Sequence, residues 1–373
     1  MNQKLLNELE TPCLAIDLDI TKRNIAAMQS IADQYKVKLR PHIKTHKMVY
    51  FARLQMQAGA CGLTCAKVSE AEVMAESGLD DLFIAYPLVG AFRLARAMKL
   101  ARKCSRLILA VDSKETADML SKAATEASLT IEVRLEVDTG ARRTGIAADS
   151  LVDLALYVQS LPGLNLTGIY TFKSLIYQGA PTEDREKAGQ EEGKLMAEAA
   201  KTLREAGLSI QDISAGSTPT GENVARTGLV SEIRPGTYIF NDHMMVCKNW
   251  CAESDIAAHL YATVVSTTYP DYAVLDGGTK TFPMDITPDE PPCFYPGYAF
   301  AEQYPDLKLI RMSEEHGMLH SPSGQTNLHV GQLLKLRPIH VCPTVNMQNH
   351  VYIYDRENET LQKMVVDARG MLV

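Results

Sequence analysis

Between about residues 20 and 240 the chain alternates two patterns. Short runs rich in apolar and β-branched residues are each followed by a stretch of helical periodicity. The runs fall at residues 38–40, 62–66, 82–86, 107–112, 132–138, 166–172, 212–215 and 232–239. Leu107-Ile108-Leu109-Ala110-Val111 is apolar without a break, the pattern of a strand buried on both faces. The intervening stretches include residues 69–76, opened by a Ser-Glu-Ala-Glu capping signature, and the Ala-, Glu- and Lys-rich residues 182–206. Eight strand–helix units predict an α/β fold, a (β/α)8 TIM-like barrel. A doubly wound open sheet uses the same alternation. The barrel is preferred because eight units follow one another with no switch in pattern.

Past Asn241 the helical periodicity fades. Strand patterns at residues 259–268, 273–275, 307–312, 333–338 and 350–354 are separated by turn-rich stretches at 285–292 and 320–324. This reads as a C-terminal, mostly β domain. The strand pattern at 13–17 suits either part and is grouped with the second. The expected division is residues 20–245 for the barrel, and 1–19 with 246–373 for the β domain.

Composition narrows the function. At 373 residues the chain is long enough for both domains. A formal charge of −7 argues against binding nucleic acid. No run of 18 apolar residues is present, so no membrane partner is expected. Residues 1–10 are polar and acidic, unlike a signal peptide, which points to a cytoplasmic protein. The eight cysteines, at 13, 61, 65, 104, 247, 251, 293 and 342, are scattered through apolar sequence and read as reduced core residues. Two C-x3-C pairs have no partner pair at zinc-site spacing.

In a barrel, chemistry gathers on the loops that follow the strands. The first such loop reads Arg40-Pro41-His42-Ile43-Lys44-Thr45-His46-Lys47. A lysine there, partly desolvated and among cations, is a candidate for Schiff-base chemistry; a solvated basic loop is the competing reading. The loops after strands seven and eight carry Gly216-Ser217-Thr218-Pro219-Thr220-Gly221 and Pro235-Gly236-Thr237-Tyr238. Glycine amides and Ser/Thr hydroxyls at these two positions suit a phosphate group, with plain turns as the alternative. Backbone amides at 216–218 and 236–237 are the expected main donors. After strand five, Asp138-Thr139-Gly140-Ala141-Arg142-Arg143-Thr144-Gly145 brings arginines to the same rim. In the β domain, His340-Val341-Cys342 reads as part of a strand. Residues two apart there face one side, so imidazole and thiolate are placed to share one metal ion. Glu314-Glu315-His316-Gly317 is a second polar cluster, suited to outer contacts or to ending a strand.

These motifs, in this order, resemble the D-threonine aldolase and D-serine dehydratase family, which groups with the alanine-racemase-like pyridoxal-phosphate enzymes of fold type III. The likeness runs from Thr11-Pro12 to about residue 355. It implies that Lys44 carries pyridoxal 5′-phosphate, with Lys47 as rival and His42 beside it. Arg143 and Tyr170 would line the pyridine ring. Gly216, Ser217, Thr218, Gly236, Thr237 and Tyr238 would surround the phosphate. His340 and Cys342 would bind a divalent metal, zinc or manganese, with magnesium a further candidate. It also implies a homodimer and a small D-3-hydroxy amino acid as substrate. After Tyr170 the chain departs from the family, reading Thr171-Phe172-Lys173-Ser174. His-x-Cys resembles the dehydratases, whereas Ser-Glu-Glu-His-Gly resembles the aldolases. The leading reading is a metal-activated D-threonine aldolase, giving glycine and an aldehyde. The alternative is D-serine dehydratase-type elimination to a keto acid and ammonia. An amino-acid racemase and a non-catalytic cofactor carrier stand behind both.

Overall fold

All eight expected barrel strands form in the computed structural model, which describes residues 1–290 and 295–373. They are Lys38–Leu39, Leu63–Cys65, Asp81–Pro87, Arg106–Val111, Ile131–Glu136, Leu164–Tyr170, Asp212–Ser214 and Glu232–Ile233. All pair in parallel. Around the sheet the first strand is followed by the eighth, then the seventh, and so on down to the second. A parallel bridge between His42 and Thr64, with the Thr64 amide donating to the Pro41 carbonyl at 2.9 Å, joins the second strand back to the first. This sequential, closed order excludes the doubly wound alternative.

The barrel interior is charged as well as apolar. Arg134 on the fifth strand donates to Glu232 on the eighth at 2.6 Å and to Asp212 on the seventh at 2.8 Å. Arg40, just past the first strand, reaches Glu232 at 2.8 Å and Asp81 at 2.5 Å. The fifth and eighth strands are not neighbours in the sheet, so the pair between them crosses the interior. Arg40, Arg134 and Glu232 are fully buried. Burial alone would raise the Glu232 pKa, but Arg134 and Arg40 hold it well below the usual carboxylate range.

The β unit is a nine-stranded sheet, mostly antiparallel. Pairing of Tyr272–Leu275 with both Gly317–His320 and Ala258–Tyr269 closes six of its strands into a ring. The early strand Cys13–Asp17 belongs here, antiparallel to Ala258–Tyr269 and parallel to His350–Asp355. Three strands escaped the sequence reading: Ala299–Ala301, Gly317–His320 and Thr360–Val365. By contact density the chain forms two units, one of Met1–Ile25, Thr45–Met48 and Thr237–Gly370, the other of Ala26–Lys44, Val49–Gly236 and Met371–Val373.

Several local expectations are corrected. The run at 232–239 is a strand only over Glu232–Ile233, because Pro235 lacks an amide for the ladder; Thr237–Ile239 is a 3₁₀ turn. Ser69 does not cap its helix. It lies inside Val68–Glu76 and its hydroxyl donates to the Val373 carbonyl at 2.9 Å, while Glu70 accepts the Ala66 amide at 2.7 Å. His340 and Cys342 are not in a strand. The strand Leu333–Pro338 stops before them, His340 is the N-cap of helix Val341–Met347, and Cys342 sits in its first turn. Pro343 is tolerated there because first-turn amides have no partner within the helix. Of the expected turn at 285–292, Pro291 and Pro292 lie outside the described residues, as does Cys293. No disulfide joins the seven cysteines among the described residues. No helix among those residues is long and apolar enough to cross a membrane.

Candidate active site

In the barrel unit the singled-out residues stand at the C-terminal ends of the strands. Lys44 follows the first strand in a short 3₁₀ turn, Ile43–Thr45, and is partly exposed. The His42 ring lies behind it, its Nδ1 accepting the Lys44 amide at 3.4 Å. The Lys44 ammonium lies 5.6 Å from the centre of the Phe172 ring, and the Arg143 guanidinium lies 4.7 Å from the same centre. One aromatic ring thus carries a lysine and an arginine delivered by different strands, an arrangement that cation–π attraction favours.

The loop bearing Arg143 is held by its own polar groups. Asp138 accepts the Gly140 and Arg142 amides, and Thr144 donates to Glu136 at 2.8 Å. Gly145 is obligatory: at φ +99° a Cβ there would meet the Asp138 amide at 2.8 Å. Glu136 also accepts the Tyr170 hydroxyl at 2.8 Å, tying that buried ring to the arginine loop. Burial, then Glu136, push the Tyr170 phenol pKa well up, so it stays protonated. Arg234 lies over the Tyr170 ring at 5.2 Å and donates to Ser214 and to the Thr171 carbonyl, both at 2.6 Å.

Around the expected phosphate site, the backbone turns at Gly216 with φ +91°. Three of the five amides assigned to the phosphate are engaged inside the barrel unit. Gly216 donates to Glu192 at 2.9 Å, Ser217 to Thr220 at 3.1 Å, and Gly236 to the Thr218 hydroxyl at 3.2 Å. Those three amides are therefore committed to acceptors of the protein itself.

The β unit holds the remaining residues: Thr237, Tyr238, His340, Cys342 and the stretch Thr45–Met48. The His340 and Cys342 side chains do meet, close enough to hydrogen-bond. The Cys342 sulfur also lies 3.2 Å from the Thr45 hydroxyl and 3.7 Å from that of Thr237. Asp285 holds His340 Nδ1 at 2.5 Å, which leaves Nε2 for a ligand. Burial works against charge on His340, but Cys342, Asp285 and Asp242 outweigh it and push its pKa up to about 11. Asp242 is fully buried, accepting the Val341 amide at 3.1 Å, and burial lifts its pKa to about 6. Among the described residues no group of three or more His, Cys, Asp or Glu side chains is placed to hold a metal. Tyr238 is buried. Lys47, the rival lysine, is 3% exposed and donates to the Ala368 carbonyl at 3.1 Å. The Glu314–His316 cluster is an exposed turn between Lys308–Met312 and Gly317–His320, with Glu315 paired to Lys280 at 2.5 Å.

Glu136, Glu192, Asp242 and Asp285 were not singled out from the sequence. Each is an ordinary charged residue in its local context, and only its burial or its distant partner marks it.

The family model described as "Alanine racemase, N-terminal domain" matches residues 16–243, and that described as "Putative serine dehydratase domain" matches residues 257–354. A D-threonine aldolase of Arthrobacter sp. is 32% identical over 98% of this chain and 94% of its own length. A D-threo-3-hydroxyaspartate dehydratase of Delftia sp. (strain HT23) is 34% identical over 92% of this chain and 93% of its own. Among solved structures, a cysteine-to-alanine mutant of D-threo-3-hydroxyaspartate dehydratase in the metal-free form superposes with a TM-score of 0.86 at 31% identity, covering 96% of this chain and 97% of that one.

Proposed function

Since the chain belongs to the family of the alanine racemase N-terminal domain, joined here to a serine dehydratase domain, we propose that it is a pyridoxal-phosphate-dependent, metal-activated lyase of D-3-hydroxy amino acids. The leading reaction is cleavage of D-threonine to glycine and an aldehyde. The observation that carries this is the partly exposed Lys44 ammonium beside Arg143 on the Phe172 ring, in a chain aligned almost end to end with a D-threonine aldolase.

The residues fit the cofactor. Gly216 has φ +91° and a Cβ there would stand 3.1 Å from Gly221 Cα, so the turn favours glycine, whose bare backbone lets a phosphate approach closely. When bound, pyridoxal phosphate supplies an electron sink for the bond broken at the substrate's Cα. Lys44 holds the cofactor and afterwards moves a proton at its Nζ. Tyr170, kept neutral and fixed by Glu136, presents an immobile ring face. Arg143 supplies a cation for a carboxylate or ring oxygen.

The residues also fit a divalent ion. Imidazole and thiolate together form a borderline-soft donor pair suited to zinc, and Asp285 fixes which nitrogen His340 offers. When bound, the ion supplies Lewis acidity towards the 3-hydroxyl. Elimination to a keto acid and ammonia is the second reading, favoured by the His-x-Cys pair and by the likeness to a dehydratase. A homodimer acting in the cytosol completes the proposal; ultracentrifugation would find about twice the 41.1 kDa chain mass.

The test is incubation of the purified enzyme with D-threonine and D-serine, with and without divalent metal. Glycine and acetaldehyde support the aldolase. 2-Oxobutyrate or pyruvate with ammonia moves the assignment to the dehydratase. No turnover of either substrate, with metal and cofactor present, rejects both.

A further inference from the structure

Behind the loop at residues 216–220 lies a buried carboxyl group. Glu192, from the long helix Arg185–Glu205, is 0% exposed. One of its oxygens accepts the Gly216 amide at 2.9 Å, and the other lies 3.0 Å from the Thr220 hydroxyl. Thr220 Oγ1 in turn accepts the Ser217 amide at 3.1 Å and lies 3.0 Å from the Ser217 hydroxyl. The helix can come this close because its two glycines flank Glu192 against the next helix, Gly221–Arg226. A Cβ at Gly189 would meet Asn223 Cβ at 2.7 Å, and one at Gly193 would meet the Thr227 side chain at 2.8 Å.

The protons in this chain can be counted. A hydroxyl has one hydrogen to give and two lone pairs. If Glu192 is ionised, Thr220 must give its hydrogen to the carboxylate. Its oxygen then takes both the amide and the hydroxyl of Ser217, and the Ser217 hydrogen points inward. If Glu192 carries a proton, it donates to Thr220. Thr220 then gives its own hydrogen to Ser217 Oγ, and the Ser217 hydrogen is turned outward, where a phosphate oxygen can take it.

We propose that Glu192 is a positioning residue for the phosphate loop and acts there as a neutral carboxylic acid that orients the Ser217 hydroxyl. This rests on reading residues 216–218 as phosphate-binding. A buried carboxylate one hydrogen bond behind a loop that holds a dianion would oppose binding. Two cations face Glu192: Arg234, which donates to Ser214 and the Thr171 carbonyl, and Lys173, which is paired with Glu191. Burial raises the Glu192 pKa, outweighing the Gly216 amide and the Thr220 hydroxyl as well as these two cations.

Glutamine copies the neutral acid: its amide donates to Thr220 while its oxygen accepts the Gly216 amide. Leucine does neither. The full-length protein, stripped of cofactor with hydroxylamine, is titrated with pyridoxal phosphate and with pyridoxal, which lacks the phosphate. Glu192→Gln should bind pyridoxal phosphate within about threefold of wild type. Glu192→Leu should bind it roughly thirtyfold more weakly, the scale of one hydrogen bond to a charged group, with pyridoxal binding unchanged. Three outcomes would overturn the proposal: Glu192→Gln losing tenfold or more, Glu192→Leu binding as wild type, or Glu192→Leu losing pyridoxal affinity equally, which marks a general structural role. If the leucine variant does not fold, the glutamine variant decides alone. If wild type binds the two ligands equally well, the loop contributes nothing to phosphate binding, and the reading beneath the inference fails first.

Discussion

Gly216→Ala is the substitution whose effect can be worked most directly from the structure. Gly216 has φ +91°, and an added Cβ would lie 3.1 Å from Gly221 Cα and 3.4 Å from Ile233 Cγ2. The first neighbour is backbone, at the start of a helix, and cannot turn aside. Holding alanine in this conformation costs about 1–3 kcal/mol, and the close contact adds about 1 kcal/mol. A total near 3 kcal/mol has two outlets. If the loop keeps its shape, the folded state bears the cost and the melting temperature falls by roughly 6–12 °C. If the loop relaxes, the Gly216 amide leaves Glu192 and the phosphate site deforms, raising the pyridoxal-phosphate dissociation constant by up to roughly 100-fold. Cofactor titration followed by the visible absorbance of the lysine-bound form, and thermal unfolding of the same preparation, measure both. A variant with wild-type cofactor affinity and a wild-type melting temperature would refute the assignment of this turn as a strained, phosphate-facing element.

Other substitutions test the remaining assignments. Lys44→Ala should abolish the visible absorbance of the lysine-bound cofactor, whereas Lys47→Ala should keep it and lose about 1–3 kcal/mol of stability from the orphaned Ala368 carbonyl; borohydride reduction with peptide mapping locates the labelled lysine. Cys342→Ala should abolish metal dependence and most turnover, while Cys342→Asp should shift preference towards manganese or magnesium, as read by metal titration. Asp285→Asn should weaken metal binding roughly 10–100-fold without altering cofactor absorbance, because the His340 ring loses the carboxylate that orients it. Glu232 has a depressed pKa in the folded state, so the unfolded chain takes up its proton first; its contribution is present above about pH 4.3 and is lost as pH falls below that. Glu232→Gln should therefore cost about 3–5 kcal/mol at pH 7, and its denaturation midpoint should converge with that of wild type under acid.

Much of this protein is legible along the chain because its causes are local. Periodicity marks all eight barrel strands, since parallel strands covered on both faces are rich in apolar residues, even where charges such as Arg134 and Glu232 are built into them. Glycines at 140, 145 and 216 mark turns whose positive φ favours glycine. The basic cluster around Lys44 stands out because such a cluster is unusual at a strand exit. Other features depend on what is distant in sequence. The meeting of His340 and Cys342 survives although its expected strand does not, because an N-cap followed by a first turn also brings two residues together. Sequence spacing cannot separate those geometries. Nor does it show that Lys47, unlike Lys44, is buried and donates to the Ala368 carbonyl, 321 positions away. Burial turns Glu192 and Glu232, ordinary glutamates in the sequence, into the anchor of a loop and the centre of an ion network. Pattern along the chain fixes which faces must leave water. Which charges then meet inside, and hence which lysine, which carboxyl and which imidazole nitrogen remain available for chemistry, follows only from the closed barrel and sheet, because Coulomb and hydrogen-bond energies depend on distance in space and not on separation in sequence.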